Sequence, residues 1–340
     1  MVLEKIRDMI QSDSYSFLHI NEHLNGKIIL LTLGGSYAYG TNTETSDIDL
    51  RGICVNSRND ILGMSNFEQF ENKETDTVIY SFNKIIPLLC NCNPNTIEFL
   101  GCRPDQYFIL TEAGKQLIEN RKMFLSKRAI HSFGGYATAQ LRRLENAIAR
   151  DKLPQSKQEQ HILGSMKNTL YDCEQRYPSF HGGGFTLYVD DSDNEDMDSE
   201  IFCDISLTHY PARELNGICN ELTNVVRTYN KLNNRNKKKD DEHLNKHAMH
   251  LIRLYLMCLD ILENEEIVTY REKEHDLLMS IRNGAYQNED GTYKSEFFDM
   301  VSDFEKRMEY AGENTSLPNK PNMKKIEEFV VEVNRKSLEV

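Results

Sequence analysis

The stretch "KIILLTLGGSYAYGTNTETSDIDLRG" (27–52) constrains this chain most. An apolar run rich in leucine and β-branched residues reads as a buried strand, and it breaks at Gly34, Gly35 and Ser36 before a short helical segment, "SYAYG". About eleven residues after Ser36, Asp47 and Asp49 head a second apolar run, "DIDLRGICV" (47–55). Residues two apart in a strand face the same way, so Asp47 and Asp49 aim their carboxylates together while Ile48 and Leu50 turn to the core. Paired carboxylates repel and raise one another's proton affinity unless a cation lies between them. Magnesium takes oxygen ligands, and two such ions can clamp the attacking and leaving oxygens of an in-line displacement. Upstream, the glycines let main-chain N–H groups approach an anion, and Ser36 adds a hydroxyl. No Gly-Lys-Ser/Thr follows, so this is not a Walker A loop.

"TDTVIYSF" (75–82) reads as a further strand, while "NKIIPLLC" and "PNTIEFL" read as short helices, with Pro94 at a helix start. Mixed elements up to about residue 105 predict a small α/β sheet. Beyond it, 111–150, 158–176, 211–232, 241–264 and 270–282 carry helical periodicity. The interruption is a strand pair near 184–207 around an acidic loop at 190–200. Asp191, Asp193 and Glu195 imitate the start of a calcium loop, but Asp196 stands where glycine is required and Phe202 where the bidentate glutamate belongs. A solvated loop is the better reading, as is a polar linker for "NKLNNRNKKKDDEH" (230–243).

At 340 residues the chain is long enough for two domains. A formal net charge of −13 argues against a protein that coats nucleic acid, because phosphate neutralisation dominates that affinity. Any contact with a strand has to be local. Eight cysteines without framework spacing suit a reducing compartment, and Cys90, Cys92 and Cys102 read as buried thiols rather than a zinc site. With no signal-peptide core and no apolar run of membrane-spanning length, a cytoplasmic protein without membrane contact is expected.

The segment "HLNKHAMHLIRLYLMCLDIL" (243–262) is apolar almost all round and reads as a buried helix. Lys246, His250 and Arg253 nevertheless share one face at i, i+4 and i+7. Buried cations need anions. A nucleoside triphosphate in a cleft between domains would supply them, and internal salt bridges with Asp260 or Glu242 are the alternative. His243, His247 and His250 also share a face, but no H-E-x-x-H frame supports zinc-hydrolase chemistry.

Glycine-Gly/Ser, a spacer and Asp-hydrophobic-Asp resemble the signature of the polymerase-β-like nucleotidyltransferases. More narrowly, "GGSYAYGTNTETSDIDLRGI" resembles the RlaP/YcgL-type branch, some members of which are linked to RNA repair. "LLCNCNPNTIEFL", "SFGGYATAQLRRLE", "KHAMHLIRLYLMCLDIL" and "LLMSIRNG" look similar too, so the resemblance runs from about residue 30 to 284. It departs at the acidic loop and leaves the last 55 residues unassigned. The resemblance implies a polymerase-β-like core, placed at 1–108, followed by a mostly helical domain (109–284), and a C-terminal helical extension (285–340) is expected beyond it. It also implies two Mg2+ ions, with Mn2+ as the alternative, on Asp47, Asp49 and a third carboxylate. Asp76 is the choice for that third group, with Glu74 and Glu98 as rivals. Gly34, Gly35, Ser36, Arg51, Lys246, His250 and Arg253 would bind the nucleotide, ATP or another NTP. Arg282 and Gly284 resemble a family element, and Arg142 and Arg143 face either an acceptor strand or solvent. The implied activity moves a nucleoside monophosphate to an acceptor hydroxyl, an RNA 3′ end first. A protein acceptor is the enzymatic alternative, and an inactive nucleotide-binding partner protein the non-enzymatic one.

Overall fold

The computed structural model describes residues 2–181, 184–193, 197–230 and 241–338. Glu195 and Asp196 of the acidic loop, and 231–240 of the polar linker, lie outside the described residues. Contacts divide the chain into two compact units, one made of 1–140, 248–285 and 295–340, the other of 141–247 and 286–294. This differs from the expected boundaries at 108 and 284. The apolar half of the Asp241–Asn264 helix, with Leu251, Ile252, Cys258 and Ile261 fully buried, belongs to the first unit, and its polar start to the second.

The first unit is built on a five-stranded mixed sheet, which with the surrounding helices gives the expected α/β-plus-helical class. Its strands are β1 (Ile28–Leu33), β2 (Leu50–Cys54), β3 (Gln69–Asn72), β4 (Thr77–Ser81) and β5 (Tyr107–Leu110), in the order β3-β4-β2-β1-β5. Every residue of β1 is buried. A strand covered on both faces reads as a continuous apolar run, which is why "IILLTL" lacks alternation. β1 pairs antiparallel with β2 and β5, and β2 pairs parallel with β4, Leu50 opposite Thr77. That register sets the residues before each strand, Asp49 and Asp76, side by side. The helix Gly35–Tyr39 links β1 to the segment before β2.

Three expectations need correction. The helix expected over 270–282 begins only at His275. The second strand begins at Leu50 rather than Asp47, so Asp47 and Ile48 precede the sheet. Leu50 is fully buried, whereas Ile48 is half-buried and Asp47 exposed. The helical periodicity of 111–150 is also interrupted. A helix over Glu112–Glu119 and a tight turn over Arg121–Phe124 precede the long helix Arg128–Lys152. Phe124 and Leu125, at the break, are buried.

The second unit pairs the helices Gln155–Arg176 and Ala212–Asn230 with an antiparallel hairpin of β6 (Phe185–Asp191) and β7 (Ser199–Ile205). Its core holds Ile162, Met166, Cys173, Phe180, Phe185, Leu187 and Ile218. All eight cysteines are free thiols, with Cys90 and Cys92 buried and Cys102 half-buried. Among the described residues no helix is long and apolar enough to cross a membrane.

Candidate active site

Gly34 ends β1 in an extended conformation, and Gly35 opens the next helix with φ +53°, a left-handed backbone that L side chains avoid. A Cβ at Gly35 would fall inside the Asp49 carboxylate, and one at Gly34 would lie 2.8 Å from Cγ of Arg51. Gly35 is therefore required by close approach as well as by φ, whereas a side chain at Gly34 would press on the Arg51 stem. The Gly34 N–H donates to the Asp49 carbonyl at 2.8 Å, which locks the turn against the head of β2. Ser36, the second residue of the helix, is buried. At the other end of this helix Gly40 takes φ +73°, and a Cβ there would lie 2.6 Å from the Tyr270 ring.

Across the β2–β4 pair, the Leu50 N–H donates to the Asp76 carbonyl at 3.2 Å. Nη2 of Arg51 then reaches Asp76 Oδ1 at 3.0 Å and Asp49 Oδ1 at 3.5 Å. Arg51, expected to face phosphate, is thus placed on two carboxylates. Asp76 itself sits at φ +42° in the turn entering β4. Of its rivals, Glu74 is exposed in the same turn, while Glu98 is buried.

Glu98 accepts a 2.6 Å hydrogen bond from the Tyr39 hydroxyl. The Arg253 guanidinium lies 3.6 Å from the centre of the Tyr39 ring, and its Nη2 is 2.7 Å from Nδ1 of His250. Arg253 is only 8% exposed, and its Nε has no partner among the described residues. The sequence stripe therefore changes depth along its helix. Arg253 is buried, His250 half-buried, and Lys246 exposed and in the second unit. Asp260, considered as a partner for the stripe, instead pairs with the buried Arg271. Tyr39 escaped the sequence reading, although "SYAY" places it three residues after Ser36 on the same helical face.

Burial pushes the Glu98 carboxyl above its usual value of 4.5, against the opposing pull of Arg253 and the Tyr39 hydroxyl. Burial likewise holds the Tyr39 phenol well above its ordinary range, with the Glu98 charge adding to the effect. A raised carboxyl pKa means that the native state holds its proton more tightly than the unfolded chain. The Glu98 contribution to stability is therefore present below pH 4.5 and is lost as pH rises through the folded value. Glu98→Gln keeps an acceptor for Tyr39 but does not titrate. Its urea midpoint is expected to vary less than the wild type's as pH rises from 4.5 toward neutrality.

The segment leading into Asp47 is held from far away in sequence. Arg282, at the end of the His275–Arg282 helix and buried, donates to the Thr41 carbonyl at 2.7 Å. It also reaches Thr43 Oγ1 at 3.3 Å and Ser46 Oγ at 3.4 Å. Hydrogen bonds to a charged group are worth more than neutral ones, so Arg282→Met is expected to cost about 2–3 kcal/mol in urea unfolding. The loosened 41–46 segment should also reduce whatever chemistry Asp47 serves.

Among the described residues no three His, Cys, Asp or Glu side chains are gathered into a ready metal-holding group, neither Asp47, Asp49 and Asp76 nor His243, His247 and His250. The pair of carboxylates at the heads of β2 and β4, Asp49 and Asp76, nevertheless suits a hard cation. Their donors are oxygens only, and Asp49 and Asp76 already share one positive charge, that of Arg51.

A family model described as RlaP, the RNA repair pathway DNA polymerase beta family, matches residues 9–171. The match supports the polymerase-β-like nucleotidyltransferase resemblance read from the glycine turn and the paired aspartates. No curated protein and no solved structure matches the chain.

Proposed function

We propose that this polymerase-β-like core moves a nucleoside monophosphate from an NTP to an acceptor hydroxyl, with an RNA 3′ end as the acceptor. The observation that carries the reading is the closure of the Gly34–Gly35 turn on Asp49, which puts anion-seeking main chain beside carboxylates at the head of a parallel strand pair. The Gly35 and Ser36 N–H groups and the Ser36 hydroxyl would bind the triphosphate. Arg253, stacked on Tyr39 with His250 beside it, is a nearly buried cation whose charge would add to the pull on the nucleotide's phosphates. Asp47, Asp49 and Asp76 would hold two magnesium ions, or manganese, which supply charge neutralisation at the transferring phosphate. Asp76 would also orient the acceptor hydroxyl. That hydroxyl attacks the α-phosphorus in line and pyrophosphate leaves. The protein's contribution is positioning and electrostatic stabilisation.

The match to an RNA-repair family supports RNA as acceptor. The net charge of −13 favours contact with one strand end over a long single strand. The test is incubation with magnesium and each α-labelled NTP, alone, with RNA bearing a free 3′-hydroxyl, and with cell lysate. Label on the RNA is the expected result. Label on protein instead would assign a protein acceptor, and label on neither with any NTP would leave a nucleotide-binding partner protein.

A further inference from the structure

We propose that Arg51 is a resident counter-ion of this site, holding the place between Asp49 and Asp76 until nucleotide phosphates draw its guanidinium away and a divalent cation replaces it. The identity of the displacing ligand rests on the nucleotidyl-transfer reading; the counter-ion role rests on the geometry alone. The parallel register sets two carboxylates at the heads of adjacent strands. Without a cation their repulsion would oppose the pairing of β2 with β4. Arg51 supplies one through Nη2, which contacts both Asp76 Oδ1 and Asp49 Oδ1. Its Nη1 is held at the same time by the carbonyls of Asp76 and of Leu50, the latter at 3.0 Å. A guanidinium stays charged at any accessible pH, and its fork suits this multidentate task.

The oxygens it occupies are the ones a hard divalent ion would take, so Arg51 and the ion compete for them. The route by which the guanidinium leaves is also built in. The Arg51 stem crosses Gly34 so closely that a Cβ there would lie 2.8 Å from its Cγ and 3.4 Å from its Nε. The side chain thus lies on the turn proposed to receive phosphate. An arriving triphosphate meets the guanidinium there, and Arg–phosphate pairing can replace Arg–carboxylate pairing. Metal binding would then follow nucleotide binding rather than precede it.

The test measures Mn2+ binding to the full chain without nucleotide, from the electron paramagnetic resonance signal of free Mn2+. Wild type should bind weakly, and Arg51→Gln at least about tenfold more tightly, about 1.4 kcal/mol. The gain should vanish in Arg51→Gln combined with Asp49→Asn. Equal affinity in wild type and Arg51→Gln, both folded by circular dichroism, would overturn the proposal. If Arg51→Gln does not fold, Arg51→Lys serves, since one ammonium cannot reproduce the fork. Tighter binding than wild type supports the role, and equal binding overturns it. A non-hydrolysable ATP analogue should tighten Mn2+ binding to wild type. A tighter Arg51→Gln without that response would support the counter-ion and count against the nucleotide reading.

Discussion

Asp49→Asn is expected to reduce nucleotidyl transfer by a factor on the order of 10²–10³ while leaving the fold intact. The backbone of Asp49 does the structural work, because its carbonyl accepts the Gly34 N–H and Leu50 behind it is fully buried. Asparagine keeps both. What it loses is the negative charge shared by Arg51 and, in the proposed chemistry, by the metal ions. The Arg51 contact to Asp49 is the longer of its two carboxylate contacts, 3.5 Å against 3.0 Å to Asp76, so the stability change should stay within about 1 kcal/mol. Transfer is read from α-labelled NTP incorporation and stability from urea melts. A folded Asp49→Asn variant with wild-type transfer would remove Asp49 from the chemistry.

Gly35→Ala should be nearly as damaging, for two separable reasons. A residue at φ +53° carries a backbone penalty of about 1–2 kcal/mol once it has a Cβ. That Cβ would also fall inside the Asp49 carboxylate, which must then move. Gly26 provides the control. It has φ +69°, but a Cβ there meets nothing within 4 Å. Gly26→Ala is therefore expected to lose stability through strain with transfer unchanged. Gly35→Ala should lose stability and, in addition, at least about 10²-fold in transfer, the scale of losing one positioned group. Equal transfer by both variants would show that the turn and Asp49 do not act together.

Much of the sheet was legible because β1 carries a continuous apolar run and β4 alternates buried and half-buried residues around Val78, Ile79 and Tyr80. "IILLTL" and "TVIYS" announce β1 and β4 wherever the chain goes afterwards. The edge strands β3 and β5 have four residues each, and β3 is half exposed along its length, so neither leaves enough pattern to be read. The aspartate pair was legible as a motif but not as geometry. Strict alternation would have carried the strand back to Asp47. A tether from Arg282, 236 residues beyond Ser46, holds the preceding segment outside the sheet instead. Likewise, i, i+4, i+7 spacing assigns Lys246, His250 and Arg253 to one face but says nothing of depth. Depth is set by Tyr39, which lies under Arg253, and by Glu98, which accepts the Tyr39 hydroxyl from 59 residues away in sequence. Contacts of that range leave no local signature.

The central claim is that the glycine turn and the aspartates beside it form a single nucleotide site. Equilibrium binding of an NTP in the presence of magnesium, measured by calorimetry on wild type, Gly35→Ala and the Asp47→Asn/Asp49→Asn double variant, tests it most directly. Saturable one-to-one binding by wild type, weakened at least about tenfold in each folded variant, is the predicted result. Undiminished binding by both variants would contradict the account.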